Sequence, residues 1–250
     1  VDPVTAQPAV WIHAEGREVA ELAGCVIREA SGVIAGHLGE IVRAHADEIL
    51  TREQVSRLLE RVRSTSPTLV DEVVPAQLRA GELQRILQNL LRERVSIRDL
   101  EAILEAIAIH VVRTRDLDVL TEHVRRALGR RITQQYRSAD GRLNAVTLTK
   151  GMEGKLAELG VGSTAETWSE MARTTVKAIS LAVGPLVDAG LPPVVLCSAE
   201  ARPVLRDLTH VDLPRLAVLS QREIPRDTPV ESVATVGVEN ELEQEVSLAR

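Results

Sequence analysis

Hydrophobic residues recur most regularly between Leu83 and Val112, where they mark two helices. The first stripe is Leu83, Ile86, Leu87, Leu90 and Leu91, and the second is Ile97, Leu100, Ile103, Leu104, Ile107 and Val111. Spacings of three and four residues place each set on one helical face. Ser96 follows the first stripe and is predicted to cap the second helix, with Asp99 in its first turn. The two helices are therefore expected to pack as a buried hairpin.

Further helices are predicted on both sides of this hairpin. Thr51 followed by Gln54 has the pattern of a reciprocal capping box at the start of one helix. The stripe of another helix is Leu117, Leu120, Val124, Ala127 and Leu128. The basic residues of that region are expected on solvated helix faces, namely Arg125, Arg126, Arg130 and Arg131. Residues 50 to about 135 thus predict a compact helical domain.

The first fifty residues have a different pattern, broken by prolines and glycines up to residue 30. Cys25 to Arg28 is predicted as an edge strand whose sheet partners lie outside this chain, so this stretch is interpreted as a fragment of a small α/β unit. From Ser31 the helical period returns, with one apolar face formed by Val33, Ile34, His37, Leu38, Ile41, Val42 and His45. The two histidines are eight residues apart without a third ligand, so no metal site is predicted.

Strand patterns appear after Arg142. "RLNAVTLT", "PPVVLCS", "LAVLS" and "PVESVATVGV" are predicted strands, and Ala165 to Ala189 and "AEARPVLRDLTH" are predicted helices. The resulting fold class is α+β with several subdomains: a fragment of a small α/β unit, a central all-helical subdomain, and an α/β subdomain with a small mixed sheet. The acidic "ENELEQEV" that follows is expected to be a frayed end, with a docking motif as the alternative.

Composition excludes several classes of function. The chain is 44% hydrophobic and 26% charged with mean hydropathy near zero, which is typical of a folded soluble protein. It has no apolar run of membrane-spanning length and no signal-peptide pattern at its start. A net charge of −6 and only three aromatic residues argue against a nucleic-acid partner. Cys25 and Cys197 are expected to be buried, reduced thiols.

No catalytic motif is present in the sequence. Phosphate-loop, dinucleotide-binding, nucleophile-elbow and zinc-protease patterns are all missing. Gly160 to Ser163 has the glycine spacing of part of a phosphate-binding loop. No strand precedes it and no lysine follows, so a turn is predicted. Asp116 and Asp118 open a helix, where they complement the helix dipole. The sequence therefore predicts no enzyme, no cofactor and no metal site.

The helical hairpin carries a resemblance to a known family. "RILQNLLRERVSIRDLEAILEAIA" is similar to the corresponding helices of the FlhA family of flagellar export-gate proteins and of its injectisome (SctV-type) relatives. Further similar segments are "VDP…AVWI", "HADEILTREQVSRLLERV", "LVDEVVP", "LTEHVRRALGRRITQQY", "PPVVLCSAEARPVLRDL", "LAVLSQREIP" and "ATVG". The resemblance covers nearly the whole chain and is weakest between Arg142 and Gly190. "LVDEVVP" and "ALGRRITQQ" resemble the flagellar branch more than the injectisome branch.

The resemblance implies a set of subdomains within the cytoplasmic region of a larger membrane protein. Residues 1–29 would be the tail of the second cytoplasmic subdomain, and residues 30–49 the returning helix of the first. Residues 50–129 would form the helical third subdomain and residues 130–238 the α/β fourth, followed by an acidic tail at 239–250. The parent protein would lie at the bacterial inner membrane through an N-terminal part, with this region on the cytoplasmic face.

The resemblance also implies a chaperone-binding cleft between the first two subdomains. Its three contact positions in the flagellar family are an Asp, an aromatic residue and a Thr. They correspond here to Asp2, Thr5 and Gly36, so two of the three have changed. Because aromatic anchors dominate such sites, the cleft of this chain is expected to be shallower and to bind less strongly.

The implied partners follow from the same family. They are chaperone–substrate complexes of flagellar export, other export-apparatus proteins including the export ATPase complex, and further copies of the chain in a homo-oligomeric ring. Membrane contact would occur only through the N-terminal part of the parent protein. Three alternatives stay open: the equivalent injectisome gate, a ring scaffold that does not bind chaperones, and an enzyme whose motif is not recognisable.

Overall fold

The computed structural model describes Asp2, residues 8–160 and residues 164–237. The chain divides into two compact units, Val1–Thr121 and Glu122–Arg250. Thr5, most of the predicted turn at Gly160 to Ser163, and the acidic tail at 239–250 lie outside the described residues.

The described residues of the first unit contain helices and no strand. The helices are α1 (Arg17–Leu22), α2 (Ala30–Ala44), α3 (Ala46–Ile49), α4 (Arg52–Arg63), α5 (Pro67–Val73), α6 (Ala80–Arg92) and α7 (Leu100–Val111). A further helix, α8 (Leu117–Ala127), begins within this unit and ends in the second. The predicted capping box at α4 is confirmed: Gln54 N donates to Thr51 Oγ1 at 3.3 Å, and Thr51 N donates to Gln54 Oε1 at 2.7 Å.

The core of the first unit lies around α6 and α7, as the sequence predicts. Both predicted stripes point inward, since all of their members are buried except the half-buried Leu91 and Ile97. Helices α4 and α5 close this core with Val55, Val70 and Val73. Burial of an aliphatic side chain stabilises a protein by roughly 1.5–3 kcal/mol, so this hairpin is the main stabilising element of the unit.

The N-cap predicted at Ser96 is wrong, because α7 begins four residues later. Asp99 is the cap, and its Oδ1 accepts from Ala102 N at 3.3 Å. The delay arises from the end of α6, where Arg94 has φ of 58° and Val95 N donates back to Leu90 O at 2.9 Å. This left-handed turn extends the connection, so Ser96 falls in the loop rather than at the helix start.

Cys25 to Arg28 is predicted as an edge strand whose sheet partners lie outside this chain, so the described residues leave that prediction untested. These residues form no ladder with any described strand, and Cys25 N instead donates to Ala20 O at 3.0 Å in the turn that ends α1. Cys25 is also exposed, against the expectation of a buried thiol, whereas Cys197 is buried as expected.

The second unit contains a four-stranded sheet in the described part of the chain. Its strands are β1 (Leu143–Leu148), β2 (Val194–Cys197), β3 (Ala217–Ser220) and β4 (Val230–Val236), arranged β3-β2-β1-β4. All three pairings are parallel, which corrects the expected mixed sheet. The reason lies between β3 and β4, which form opposite edges: the chain crosses from one edge to the other at Gln221–Pro229 instead of turning back as a hairpin.

Four further helices of the second unit lie within its described residues. They are α9 (Gly129–Tyr136), α10 (Lys150–Leu159), α11 (Ala165–Asp188) and α12 (Arg202–Thr209). The strands and α11 and α12 were predicted, whereas α10 was not. Leu156, Ile179, Val183 and Leu205 join buried strand residues in one hydrophobic core.

Candidate functional site

The largest concentration of exposed hydrophobic side chains lies in the first fifty residues. Eleven of the nineteen large exposed hydrophobic residues described fall between positions 10 and 49. They are Val10, Trp11, Ile12, Val19, Leu22, Val26, Ile34, Leu38, Ile41, Val42 and Ile49, here called the apolar surface. Single exposed hydrophobic residues are normal, but eleven of them within forty positions make this stretch the candidate for an interaction surface.

Helix α2 supplies the regular part of the apolar surface. Its apolar face has the spacing that the sequence predicts, yet Ile34 is 68% exposed, Leu38 is 59% exposed, and no residue of α2 is buried. The helix therefore presents its hydrophobic face outward, available to a partner or to another part of a longer chain.

Helix α3 fixes the end of α2 to the hydrophobic core. Arg92 Nε donates to Asp47 Oδ2 at 2.9 Å, and Asp47 is largely buried. Gln88 Nε2 donates to Asp47 O at 3.0 Å, and Gln84 Nε2 donates to Leu50 O at 2.8 Å. These side chains of α6 satisfy carbonyl groups at the end of α3, which would otherwise lack partners. Neither glutamine was predicted to have a role, because each lies on the polar side of the α6 stripe.

A second attachment links α2 to the loop after α6. Arg94 donates to Glu40 Oε2 at 3.3 Å, and Glu40 also pairs with Arg43 one turn away. The left-handed backbone of Arg94 aims this side chain at α2. Sequence reasoning missed it because glycine is the usual signal for a left-handed turn.

The three predicted site residues have different outcomes. Asp2 Oδ2 lies 3.4 Å from an Arg28 guanidinium nitrogen, and the Asp2 side chain is only 14% exposed. Gly36 is half-buried in the middle of α2. Thr5 lies outside the described residues. The structure thus places Asp2 in an ion pair next to the segment that leads into α2.

Charged residues border the apolar surface near α1. Arg17 Nε donates to Glu21 Oε1 at 2.9 Å, and a guanidinium nitrogen of Arg17 lies 3.3 Å from Glu29 Oε1. The hydrogen bond to Glu21, followed by the charge of that residue, raises the pKa of Arg17. These exposed pairs fix the charge pattern at the border but contribute little stability.

The carboxyl ends of β2 and β3 hold the other polar cluster that could be a site. Ligands of parallel sheets commonly bind at this edge. Here Arg125 of α8 is 1% exposed, against the expectation of a solvated face. Its Nε donates to Glu223 Oε1 at 2.6 Å, and Glu223 Oε2 accepts from Ser220 N at 2.7 Å.

Neighbouring groups in this cluster are also paired with one another. Arg202 Nε donates to Glu122 Oε2 at 2.6 Å, and Glu153 Oε1 accepts from Ser198 N at 2.6 Å. Burial raises the pKa of Cys197 to about 12, with Arg202 opposing the shift, so the thiol stays protonated and unreactive at neutral pH. These charges pair with one another, so the cluster holds α8, α12 and the strand ends together.

Metal chemistry has no support in the described residues. Across residues 8–160 and 164–237, no group of three or more His, Cys, Asp or Glu side chains is arranged to hold a metal ion. What the described residues offer is a set of exposed hydrophobic side chains between positions 10 and 49, with ion pairs beside them and α3 held by side chains of α6.

Comparison with known proteins defines the class. Residues 1–229 match the model of the FHIPEP family, so the chain belongs to this family. It is 34% identical over 242 residues to the flagellar biosynthesis protein FlhA of Borreliella burgdorferi, covering 95% of this chain and 35% of that protein. It is 35% identical over 240 residues to FlhA of Escherichia coli, covering 95% of this chain and 34% of that protein. The chain thus spans about a third of the length of these relatives.

Solved structures confirm the fold. The Chlamydia pneumoniae CdsV protein superposes with a TM-score of 0.82 at 23% identity, covering 92% of this chain and 67% of that one. CdsV in complex with CdsO gives a TM-score of 0.78 at 24% identity, and the match covers 90% of this chain and 67% of that one. The nonameric EscV cytosolic domain from the type III secretion system gives 0.70 at 26% identity, covering 89% and 67%. Within the described residues, no helix is both long and apolar enough to cross a bilayer.

Proposed function

We propose that this chain is part of the cytoplasmic region of a flagellar type III export gate, where it receives chaperone–substrate complexes and contributes to a homo-oligomeric ring. The apolar surface carries this proposal, because it exposes eleven large hydrophobic side chains in a member of the FHIPEP family. The role requires binding and assembly rather than catalysis.

The flagellar branch is favoured by the identities. The FlhA proteins of Borreliella burgdorferi and Escherichia coli are 34% and 35% identical to this chain over 95% of its length. The injectisome structures share 23–26%. We therefore propose flagellar cargo, and the injectisome gate is the alternative.

The proposed subdomains divide the chain at the positions that the family resemblance gives. Residues 1–29 belong to the second subdomain, residues 30–49 to the first, residues 50–129 to the third and residues 130–238 to the fourth, before the acidic tail at 239–250. In the full-length protein, part of the apolar face of α2 would pack against the remainder of the first subdomain. The rest of the apolar surface would line the cleft that receives chaperones.

The proposed contacts in the cleft are Asp2, Thr5 and Gly36. Asp2 supplies a carboxylate whose position Arg28 stabilises. Thr5 lacks the aromatic ring that the flagellar family has at its position. Gly36 lacks the hydroxyl group of the threonine that the family has at its position. Because a large apolar anchor contributes much of the binding energy at such sites, affinity is expected to be lower than in a member with all three residues.

Ring formation and partners rest on solved relatives. EscV was solved as a nonamer, and CdsV was solved in a complex with CdsO. We propose that this chain also assembles into a ring and contacts further components of the export apparatus, including the ATPase complex, on the cytoplasmic face of the inner membrane.

A binding titration tests the docking proposal. Flagellar chaperone–substrate complexes are titrated against the wild-type chain and against Asp2→Ala. The expected result is weaker binding by Asp2→Ala with little change in melting temperature, because the partner Arg28 is 40% exposed and water can solvate its charge once the carboxylate is removed. A parallel titration with injectisome chaperone complexes separates the flagellar from the injectisome assignment.

Asp71→Ala is the matched control for this experiment. Asp71 also pairs with an arginine in the first unit, at 3.2 Å from Arg63, but it lies on α5 and outside the apolar surface. Asp71→Ala is expected to bind as the wild type does. Equal affinity of wild type and Asp2→Ala would remove Asp2 from the site, and no binding by any form would favour a ring scaffold without chaperone binding, which the changes at Thr5 and Gly36 support.

A further inference from the structure

The second unit has an open groove that is lined by residues of this unit alone. It has a volume of about 410 Å³ and lies between α11 and the segment that follows α12. Ala172 and Val176 line it as half-buried aliphatic side chains, and Arg173, Lys177 and Asp212 add charges. The groove therefore combines a hydrophobic lining with a net positive charge.

Exposed aliphatic residues extend the hydrophobic part of the groove. Leu181 lines it and is 73% exposed. Val211 precedes the lining residue Asp212 and is also 73% exposed. A suitable ligand would thus bring at least one aliphatic side chain together with carboxylates.

The two cations of the groove lack the carboxylate partners that some exposed arginines of this unit have. Arg130, Arg142 and Arg222 are each paired with a carboxylate, at 3.0, 3.1 and 3.0 Å. Arg173 and Lys177 lie one helical turn apart on α11, and neither pairs with a carboxylate of the described residues. Adjacent unpaired cations on a helix repel each other, so an acidic ligand would relieve a local electrostatic cost.

We infer that this groove binds the acidic C-terminal segment of the same chain, Glu239 to Val246. The segment carries glutamates at 239, 241, 243 and 245 and no basic residue, and it includes the aliphatic Leu242 and Val246. In charge and in aliphatic content it matches the groove. It also has the strongest run of negative charge in the chain, which makes it the ligand that the groove's two cations favour most.

The reach of the segment fits the groove. Strand β4 ends at Val236, which lies in the same hydrophobic core as Ile179 and Val183 of α11. The groove wall from Ala172 to Leu181 is about 14 Å long at 1.5 Å per helical residue. Glu239 to Glu245 spans roughly 20 Å when extended. The segment begins two residues after the described end of the chain at Gly237, so its effective concentration at the groove is on the order of millimolar.

A labelled peptide tests this inference. The probe is a synthetic peptide of residues 238–250, and binding to the full chain is measured by fluorescence anisotropy at low salt. One variant carries E239Q, E241Q, E243Q and E245Q, which removes the charges of the internal competitor and alters no described residue. The peptide is expected to bind this variant about fivefold or more tightly than the wild type, because the native segment competes for the groove.

Lys177→Glu, made in the charge-neutralised chain, tests the groove itself. It is expected to weaken peptide binding by about tenfold, since it replaces an attraction with a repulsion. Lys155→Glu is the matched control, because Lys155 is an exposed lysine on α10 outside the groove. It should leave the affinity within about twofold of its parent.

Each other result overturns the inference. Equal losses in Lys177→Glu and Lys155→Glu would show general charge attraction rather than binding in the groove. Equal affinity of the wild-type and charge-neutralised chains, with the loss in Lys177→Glu retained, would show a groove for acidic peptides that the chain's own segment does not occupy. If the peptide bound to no form of the chain, the acidic segment would not be a ligand of the groove.

Discussion

Helices α2 and α7 have the same kind of sequence pattern and opposite environments. Each has an apolar stripe at spacings of three and four residues. In α7, Ile103, Leu104 and Ile107 are completely buried, whereas in α2 the equivalent residues Ile34 and Leu38 are more than half exposed. Both helices are therefore amphipathic, but only one contributes to a core within the described residues.

The difference teaches that hydrophobic periodicity identifies the apolar face of a helix without identifying what covers it. A face buried within the same unit stabilises the fold. An equally apolar face left exposed is available for binding. Comparing matched residues in the two environments measures this difference directly.

The two cysteines give the largest expected contrast. Burial raises the pKa of Cys197 to about 12 from an ordinary value of 9.0, so its thiolate population near pH 8 falls by about a thousandfold. Cys25 is exposed. A thiol reagent such as DTNB is expected to modify one thiol per chain in the native protein and two in denaturant. Rapid modification of two thiols under native conditions would contradict the burial of Cys197.

Leucine truncation compares the two helices in energetic terms. Leu100 of α7 is 4% exposed, and Leu100→Ala is expected to lower the free energy of unfolding by about 2–5 kcal/mol because it leaves a cavity. Leu38 of α2 is mostly exposed, so Leu38→Ala should change the free energy of unfolding by less than about 0.5 kcal/mol. Urea unfolding measures both. A loss below about 1 kcal/mol for Leu100→Ala would show that the buried face of α7 is assigned wrongly.

Local periodicity predicted most of the secondary structure. The α6–α7 hairpin, the four strands, α11 and α12 were all predicted, because each has a regular pattern of apolar residues. The capping box at Thr51 was also predicted, since both of its members lie within four residues. The exposure of α2 was not predicted, because the hydrophobic pattern of a helix does not show which residues, if any, pack against its apolar face.

Long-range contacts account for what sequence reasoning missed. Arg125 was expected in solvent because it lies in an arginine-rich helix, yet its partner Glu223 is 98 residues away. The parallel order of β3 and β4 depends on a crossing that neither strand pattern records. For the candidate site, Asp2 came from family resemblance, whereas Asp47, Gln88 and Arg94 became visible only through their contacts.

Replacing one of two glycines by alanine gives the smallest contrast. The two replacements are expected to change the free energy of unfolding in opposite directions. Gly129 opens α9 next to Glu223, and a Cβ added there would overlap the Glu223 carbonyl oxygen, which is backbone and cannot move aside easily. Gly129→Ala is therefore expected to lower the free energy of unfolding by about 1–3 kcal/mol. Gly32 lies in α2, and a Cβ there would meet nothing within 4 Å. Gly32→Ala should therefore raise the free energy of unfolding by about 0.5–1 kcal/mol, because alanine has the higher helix propensity.

Thermal or urea unfolding of both glycine variants completes the comparison between the two environments. A destabilising Gly32→Ala would mean that the α2 surface is already covered in solution, for instance by another copy of the chain. Because coverage by another copy depends on protein concentration, repeating the measurement across protein concentrations distinguishes a covered α2 from an exposed one. A concentration-independent gain in stability for Gly32→Ala is the result expected for an exposed helix.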